Sequence, residues 1–277
     1  MKKRVLLIAH FMDGKNEKTN NRFNYIANQL CAEDIDLEVI TSDFSHRQKR
    51  KRNIKDNETE KYKLTMLKEP IYNKNVSLRR FYSHFVLGKN LKKYLNKMKE
   101  LPDIIYCAVP SLNVAKVAAK YAKKNNIRFI IDIQDLWPEA FKLVFKVPII
   151  SNIIFYPMSK SADYIYKSAN DIIAVSDTYL KRATRVNSQC DNQLSVFLGT
   201  ELKKFDMYSG KNQYSDDDNI KLVYIGTLGH SYDITCIIDA IKILQDRNIN
   251  NIKFIVMGDG PLKENFELKL RMIGFVA

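Results

Sequence analysis

Two short apolar runs in the last sixty residues of this 277-residue chain end in glycine turns, Lys221–Gly229 (KLVYIGTLG) and Lys253–Pro261 (KFIVMGDGP). Each β-branched and aromatic run is followed by a helical pattern, so the stretch reads β-α-β-α. A unit of that kind brings backbone N–H groups and a helix N-terminus to the carboxyl end of a strand. There the partial positive charge of the helix end can hold a phosphate. The same glycines would equally serve an ordinary turn in any α/β protein, so the rest of the chain has to decide.

Other chemistry-bearing residues narrow the field by exclusion. Cys31, Cys107, Cys190 and Cys236 lie far apart and match neither a zinc spacing nor a disulfide framework, so they read as reduced, packed thiols. The acidic run Asp216–Asp218 has the spacing of a divalent-metal motif. It precedes a strand within a polar stretch instead of ending a buried one, so it reads as solvated linker. Met1–Ile8 has a positive start, but its apolar run is too short for a secretion signal and suits a first strand. No window approaches the length of a membrane span.

The formal net charge is +14 and is concentrated: between His46 and Glu100 there are 17 Lys and Arg against 5 acids. Arg47, Lys49, Arg50, Lys51 and Arg52 are too dense in like charge for a packed element and are expected to form a mobile loop. Leu78–Met98 mixes Arg79, Arg80, Lys89, Lys92, Lys93 and Lys97 with Phe81, Tyr82, Phe85, Leu87, Leu91 and Leu95 at helical spacing, a basic amphipathic helix. Such a face is usually solvated. Its clustering points first to anionic lipid, then to a phosphate-bearing ligand. Nucleic acid is excluded as a partner because no recognisable module accompanies the charge.

The elements that would position these residues alternate. Strands are expected at Arg4–Ala9, Leu37–Thr41, Ile104–Ala108, Phe129–Ile133, Asp171–Val175 and Leu194–Leu198, and helices at Asn20–Cys31, Asn113–Lys124 and from Thr178, where Ser176 and Asp177 can cap. Pro148–Tyr166 reads as a helix that is either buried or touches a membrane. Alternation of this length implies a parallel sheet with right-handed crossovers. The expected organisation is a first domain over 1–205, a polar linker over 206–219 and a partial second domain over 220–277.

Four segments, taken in order, carry a resemblance: RFNYIANQL with LEVIT (Arg22–Leu30, Leu37–Thr41), IDIQDLWPE (Ile131–Glu139), SANDIIAVSDTYLKRA (Ser168–Ala183), and LVYIGTL with GDGP (Leu222–Leu228, Gly258–Pro261). Together they resemble the retaining glycosyltransferases of family four, of GT-B architecture, and most closely the members that build capsule or O-antigen polysaccharide. The resemblance spans essentially the whole chain. It implies an α/β fold with a complete N-terminal Rossmann-like domain on the acceptor side and the first β-α-β-α portion of a second Rossmann-like domain on the donor side.

On that resemblance, Ser176 and the turn at Gly226, Thr227, Gly229 and His230 look like the elements that approach the diphosphate of a nucleotide-sugar. The loop His10–Gly14, including Asp13 and joined by Asn20 and Arg22, looks like the family's first turn. Asp135 looks like the group that orients or deprotonates the acceptor; Asp132 reads as structural. A nucleotide diphosphate is already a good leaving group. N–H groups and cations suffice to stabilise it, with no protein nucleophile, no cofactor and no metal. The resemblance further implies a lipid-linked saccharide acceptor and a cytoplasmic chain with peripheral contact at the inner membrane face through residues 78–98 and 148–166.

The chain departs from the family in two ways. It ends at Ala277, before the glutamate pair that holds the donor sugar and ribose, and Glu264 and Glu267 fall on the wrong helix to replace it. The turn Gly229–Asp233 also lacks the family's Arg and Lys. The chain is therefore expected to be truncated, with little transferase activity alone and an exposed sheet edge. An inactive remnant or binding partner, and a sugar-nucleotide epimerase of the same architecture, are the competing readings.

Overall fold

The first strand shows why these apolar runs become a sheet covered on both sides. In β1 (Lys3–Ile8), Val5 and Leu7, continued by Ala9, enter one core cluster with Phe23 and Ala27 of α1 (Arg22–Ala32). Leu6 and Ile8 enter the opposite cluster. A strand buried on both faces has no place for alternating polar residues, hence its continuous run. Each buried Val, Leu or Ile contributes about 1.5–3 kcal/mol of transfer free energy.

The structure is a computed structural model that describes residues 2–14, 22–53, 61–75, 77–144, 148–209, 219–229 and 232–274. The chain divides into two compact units, Met1–Phe205 and Asp206–Ala277. The first unit is built on seven parallel strands: β1, β2 (Ile35–Ser42), β5 (Lys63–Leu67), β6 (Ile104–Val109), β7 (Arg128–Ile133), β8 (Asp171–Ala174) and β9 (Asn192–Ser195). Their order is β5-β2-β1-β6-β7-β8-β9. From β1 the chain builds outward through β2 and β5, then returns to add β6 on the other side. The carboxyl ends of β1 and β6 therefore flank the point where strand order reverses, the place where open α/β sheets bind ligands.

Helices α2 (Leu78–Asn96), α3 (Leu112–Asn125) and α5 (Pro148–Ser168) contribute to the larger core cluster. In α2, His84, Leu87, Gly88, Leu91 and Leu95 are buried at helical spacing. Gly88 lets α2 approach α3 closely: a Cβ there would make a tight contact, 3.2 Å from the backbone oxygen of Asn113. Ser77 caps α2, its hydroxyl accepting from the Arg80 N–H at 3.2 Å. Ser77→Ala should lower stability by about 1 kcal/mol in a thermal melt, the usual loss for an N-cap hydroxyl. The short α4 (Glu139–Val144) joins this layer through an aromatic chain in which Phe81, Phe141 and Phe155 have centroids 5.5 and 5.8 Å apart.

One expectation is corrected by the first unit. The basic run is no free loop: β3 (Phe44–Ser45) and β4 (Arg50–Lys51) pair as an antiparallel hairpin. Its charges find distant partners, Lys51 Nζ donating to Asp43 Oδ1 at 2.6 Å and to the Glu69 carbonyl, Arg52 to the Ser42 carbonyl at 3.2 Å, and Lys49 to Asn75 Oδ1 at 2.6 Å. Helix α5 is neither wholly buried nor wholly exposed. Phe155, Ala162, Ile165 and Tyr166 are in the core, whereas Ile150, Ile153, Ile154 and Tyr156 face outward. No helix among the described residues is long and apolar enough to cross a membrane.

Helices α6 (Asp177–Thr184) and α7 (Leu202–Ser209) follow β8 and β9, and α7 runs across the boundary at Phe205. The acidic run Asp216–Asp218 lies outside the described residues. The second unit pairs β10 (Ile220–Ile225) with β11 (Ile252–Met257) in parallel register, packed against α8 (Ile234–Asp246) and α9 (Lys263–Met272) through Leu228, Ile234, Ile238, Phe266 and Leu270. Outward residues of the two-stranded sheet, Ile220, Leu222, Val223, Ile225 and Met257, stay exposed, as expected of so narrow a sheet.

Candidate functional site

At the carboxyl ends of β1, β6 and β7 lies a cleft of about 220 Å³ lined by His10, Phe11, Asp13, Arg22, Ser111 and Gln134 among others. It sits at the reversal point of the sheet. Of the residues singled out for the first turn, His10, Asp13 and Arg22 thus line one cavity, with Gly14 beside them in the chain; Asn20 lies outside the described residues.

Arg22 is held by a buried anchor. Its Nε donates to Asp132 Oδ2 at 2.7 Å and its Nη1 to the Val196 carbonyl at 2.9 Å. Asp132 is fully buried and also accepts from the Tyr106 hydroxyl and Gln134 Nε2, each at 2.6 Å. Three donors to one carboxylate keep the charge solvated inside the protein, so Asp132 fixes a cation at the cleft wall.

His10 is held at both nitrogens. Nε2 lies 2.8 Å from Glu69 Oε2 and Nδ1 lies 2.6 Å from Ser111 Oγ. A carboxylate only accepts, so Nε2 carries a proton, and in the neutral ring Nδ1 accepts a hydrogen bond from the Ser111 hydroxyl. Glu69 is buried and accepts further from Ser42 and Ser83 hydroxyls at 2.5 and 2.6 Å. Burial pushes its carboxyl upward, but His10 and these hydroxyls outweigh it and hold it below the usual carboxylate range. Ser111 opens α3 without capping it; its hydroxyl serves His10 instead. Sequence reading missed Glu69 and Ser111. They stand 59 and 101 positions from His10, and no local motif marks either.

Beside His10 stands an aromatic group of His84, Trp137, Phe11, His46 and Tyr72. His84 stacks on Trp137 with centroids 5.5 Å apart and packs edge-on against His10 at 4.6 Å. Burial first, then His10, Arg80 and His46, push the His84 pKa far down; burial, then Lys49 and Arg80, take His46 down to about 3. Both rings are neutral across the physiological range. His10, Glu69 and His84 bring one ligand atom each within 4.8 Å of one another. The nearby Arg80 and Lys49 disfavour a further cation there, and the Glu69 oxygens already accept from serine hydroxyls, so we read the group as a hydrogen-bond network.

Asp135 follows β7, half-buried. Its Oδ1 accepts from the Leu136 N–H at 2.9 Å and its Oδ2 from the Trp137 indole at 3.1 Å. Each oxygen keeps lone pairs for another donor. Ser176 is the N-cap of α6, accepting from the Tyr179 N–H at 3.3 Å.

In the second unit, the N–H groups of Gly226, Leu228 and Gly229 bond to the carbonyls of Met257, Asp259 and Thr227 at 3.1, 2.9 and 3.1 Å. The N-terminus of α8 is capped by Asp233, whose carboxylate accepts from Thr235 and from the Cys236 N–H and is held below its ordinary range by the Thr235 hydroxyl first. These groups tie the two glycine turns together and supply a carboxylate at the helix end. His230 lies outside the described residues.

No family model matches the chain, and no curated protein matches it. Solved structures do. The apo form of the lipopolysaccharide outer core galactosyltransferase WaaB matches with a TM-score of 0.58 at 17% identity, over 98% of this chain and 65% of its own. HepE from Anabaena in complex with UDP-glucose matches with a TM-score of 0.54 at 12% identity, over 98% of this chain and 66% of its own. The catalytic domain of starch synthase IV from Arabidopsis thaliana, bound to ADP and acarbose, matches with a TM-score of 0.57 at 12% identity, over 98% and 72%. At such identities the likeness is one of fold, the GT-B fold of glycosyltransferases. The chain spans less than two thirds of the length of the first two.

Proposed function

We propose that this chain is the acceptor-side domain and part of the donor-side domain of a sugar-nucleotide-dependent glycosyltransferase of the retaining family-four type, acting in cell-surface polysaccharide assembly. The observation that carries the reading is the cleft at the sheet's reversal point, where His10, Asp13 and Arg22 converge on a fold found in WaaB, HepE and starch synthase IV. The donor is a nucleoside diphosphate sugar, since HepE is solved with UDP-glucose and starch synthase IV with ADP. The chemistry asks for a held acceptor hydroxyl and a stabilised diphosphate. No cofactor or metal is invoked.

Asp135 serves as the group that orients the acceptor hydroxyl, its carboxylate fixed by Leu136 and Trp137. Asp135→Asn should lower turnover roughly tenfold, the equivalent of one lost charge-assisted hydrogen bond of about 1.5 kcal/mol, with the melting temperature nearly unchanged. Nucleoside diphosphate release with UDP- and ADP-sugars, with and without saccharide acceptors, tests the reading. Release that requires an acceptor supports transfer; a new sugar nucleotide formed without acceptor identifies an epimerase; no turnover of any donor overturns transfer by this chain alone and favours the second reading below.

The acceptor is a lipid-linked saccharide, met at the inner membrane face. Leu78, Tyr82 and Phe85 on α2 and Ile150, Ile153, Ile154 and Tyr156 on α5 are exposed apolar residues flanked by Lys89 and Lys160, and the Phe81–Phe141–Phe155 chain joins the two helices. Aromatic residues beside lysines suit an anionic bilayer surface. Flotation with vesicles containing anionic lipid should recover the chain and neutral vesicles should not; failure with both removes the membrane part.

A second reading has its own observation. The glycine-turn N–H groups that would hold a diphosphate bond to Met257, Asp259 and Thr227, and Asp233 caps α8. On this reading the 277-residue chain alone binds the donor weakly and acts as a binding partner, and calorimetry with UDP would show no saturation in the millimolar range.

A further inference from the structure

We propose that the corner between the β3–β4 turn and the first turns of α2 is a binding site for an anionic group, phosphate or carboxylate, carried by a saccharide and held by Arg80 and Lys49 against the rings of Tyr72 and Trp137. Calling that saccharide the acceptor rests on the transferase reading; the site itself does not.

Three observations converge on this corner. First, its cations make no direct ion pair, although the Asp135 and Glu69 charges act on Arg80 from farther away. Among the described residues neither Arg80 nor Lys49 has a carboxylate within 4.0 Å, and the exposed Arg47 of the same hairpin lines the cleft. Glu69, the buried acid nearby, already accepts from His10, Ser42 and Ser83.

Second, the cations are pre-positioned. Lys49 Nζ donates to Asn75 Oδ1 at 2.6 Å and Arg80 Nη1 donates to the Asn75 carbonyl at 2.7 Å, so one residue spaces both heads. Lys49 takes a left-handed backbone conformation, φ 54°, to do so, a strain that such turns hold at a cost. The Arg80 guanidinium lies 4.7 Å from the Trp137 ring centroid and 5.8 Å from those of Tyr72 and Phe11; Lys49 Nζ lies 4.9 Å from Tyr72. Arg80 Nε is buried with no hydrogen-bond acceptor, and one turn along α2 His84 Nε2 is in the same state.

Third, the field is positive. Burial and then Arg80 lower the Lys49 pKa, and burial lowers that of Arg80 by more than Tyr72, Asp135 and Glu69 raise it. Half-buried like charges repel, and an anion between them relieves both repulsion and desolvation. Aromatic faces beside such cations suit a sugar ring that bears the charged group, the rings packing on its apolar C–H face while the guanidinium takes two oxygens.

Trp137 is the chain's one tryptophan and lies under Arg80, so its fluorescence reports on the site. Titration with inorganic pyrophosphate and, separately, glucuronate, at ionic strength matched with chloride, should give a saturable change with at least one; glucose should give none. Pyrophosphate alone would assign a phosphate-bearing saccharide, glucuronate alone an acidic sugar. Arg80→Met should weaken binding about tenfold or more, Lys49→Met similarly, and Arg80→Lys less. If Arg80→Met melts out, Lys49→Met on its surface turn carries the same comparison. No saturable response to either anion, or a response equal in Arg80→Met and Lys49→Met, overturns the proposal. Donor turnover is measured apart: anion binding without turnover leaves this site standing and sinks the transferase, and turnover without anion binding does the reverse.

Discussion

Glu69→Ala should lower the stability of the first unit by about 3–5 kcal/mol, the cost of breaking a buried charged network from one side. The substitution leaves His10 Nε2 and the Ser42 hydroxyl, both buried, without their acceptor, while Ser83 keeps the Pro70 carbonyl at 2.7 Å. Each abandoned group carries a desolvation cost of about 1–3 kcal/mol, partly relieved by rearrangement. At about 2–4 °C per kcal/mol for a unit of this size, the melting temperature should fall roughly 10 °C. Glu69→Gln should cost much less. Its oxygen can keep His10 and Ser42, and its NH2 can donate to the Ser83 hydroxyl, whose own proton can turn to the Pro70 carbonyl at 2.7 Å.

The same carboxyl makes stability depend on pH. Its pKa is held below the ordinary 4.5 in the folded protein. Its contribution is therefore fully present above pH 4.5 and lost as pH falls through the folded value below that. Melts from pH 7 down to pH 3 should show wild type and Glu69→Gln converging at the acid end. A Glu69→Ala protein within about 1 kcal/mol of wild type would mean that the network is not what holds the first loop.

The parts of this molecule legible in the sequence were those written in consecutive residues. Continuous apolar runs such as KRVLLI became strands covered on both faces, and Ser176 capped its helix, because burial and capping act over a few positions. The GT-B fold was legible through the resemblance, in segments such as DLWPE and GTLG. What failed to show was written across the chain. The charges of Arg47–Arg52 look self-repelling until Asp43, Glu69, Ser42 and Asn75 are brought to them by folding. The edge strand β5 is short and contains Lys63 and Thr65, so its pairing with β2 leaves little periodic trace.

The candidate site divides along the same line. His10, Asp13 and Arg22 could be named because they follow the first strand closely, and the fold gathers them at the reversal point. Glu69, Ser111, His84 and Arg80 are joined to them only through the crossing of β5, β6 and α2, and an isolated Glu or Ser in a basic or apolar stretch signals nothing. Asp135 was named for chemistry, and the structure shows first what it does for Trp137.

Gly258→Ala should unfold the second unit while leaving the first intact. A Cβ at that position would lie 1.9 Å from the Gly226 carbonyl oxygen and 3.1 Å from its carbon, backbone atoms that cannot swing aside. The turns after β10 and β11 would have to separate. That breaks the bonds from Gly226 N–H to Met257, from Leu228 N–H to Asp259 and from Leu262 N–H to Leu228 at 3.1, 2.9 and 3.0 Å. Overpacking and those losses together come to about 3–4 kcal/mol. A unit with only six buried apolar residues among those described has little margin to absorb that. Hydrogen exchange should show β10 and β11 amides losing protection while β1 and β6 keep theirs. Gly229→Ala is the contrast, since its Cβ would meet only Thr227 Cγ2 at 3.6 Å, an ordinary contact. It should leave exchange unchanged, so any fall in UDP affinity it caused would come from the turn's approach to the diphosphate. Full protection in Gly258→Ala would mean that the glycine is there for a ligand's approach and not for the packing of one turn on the other.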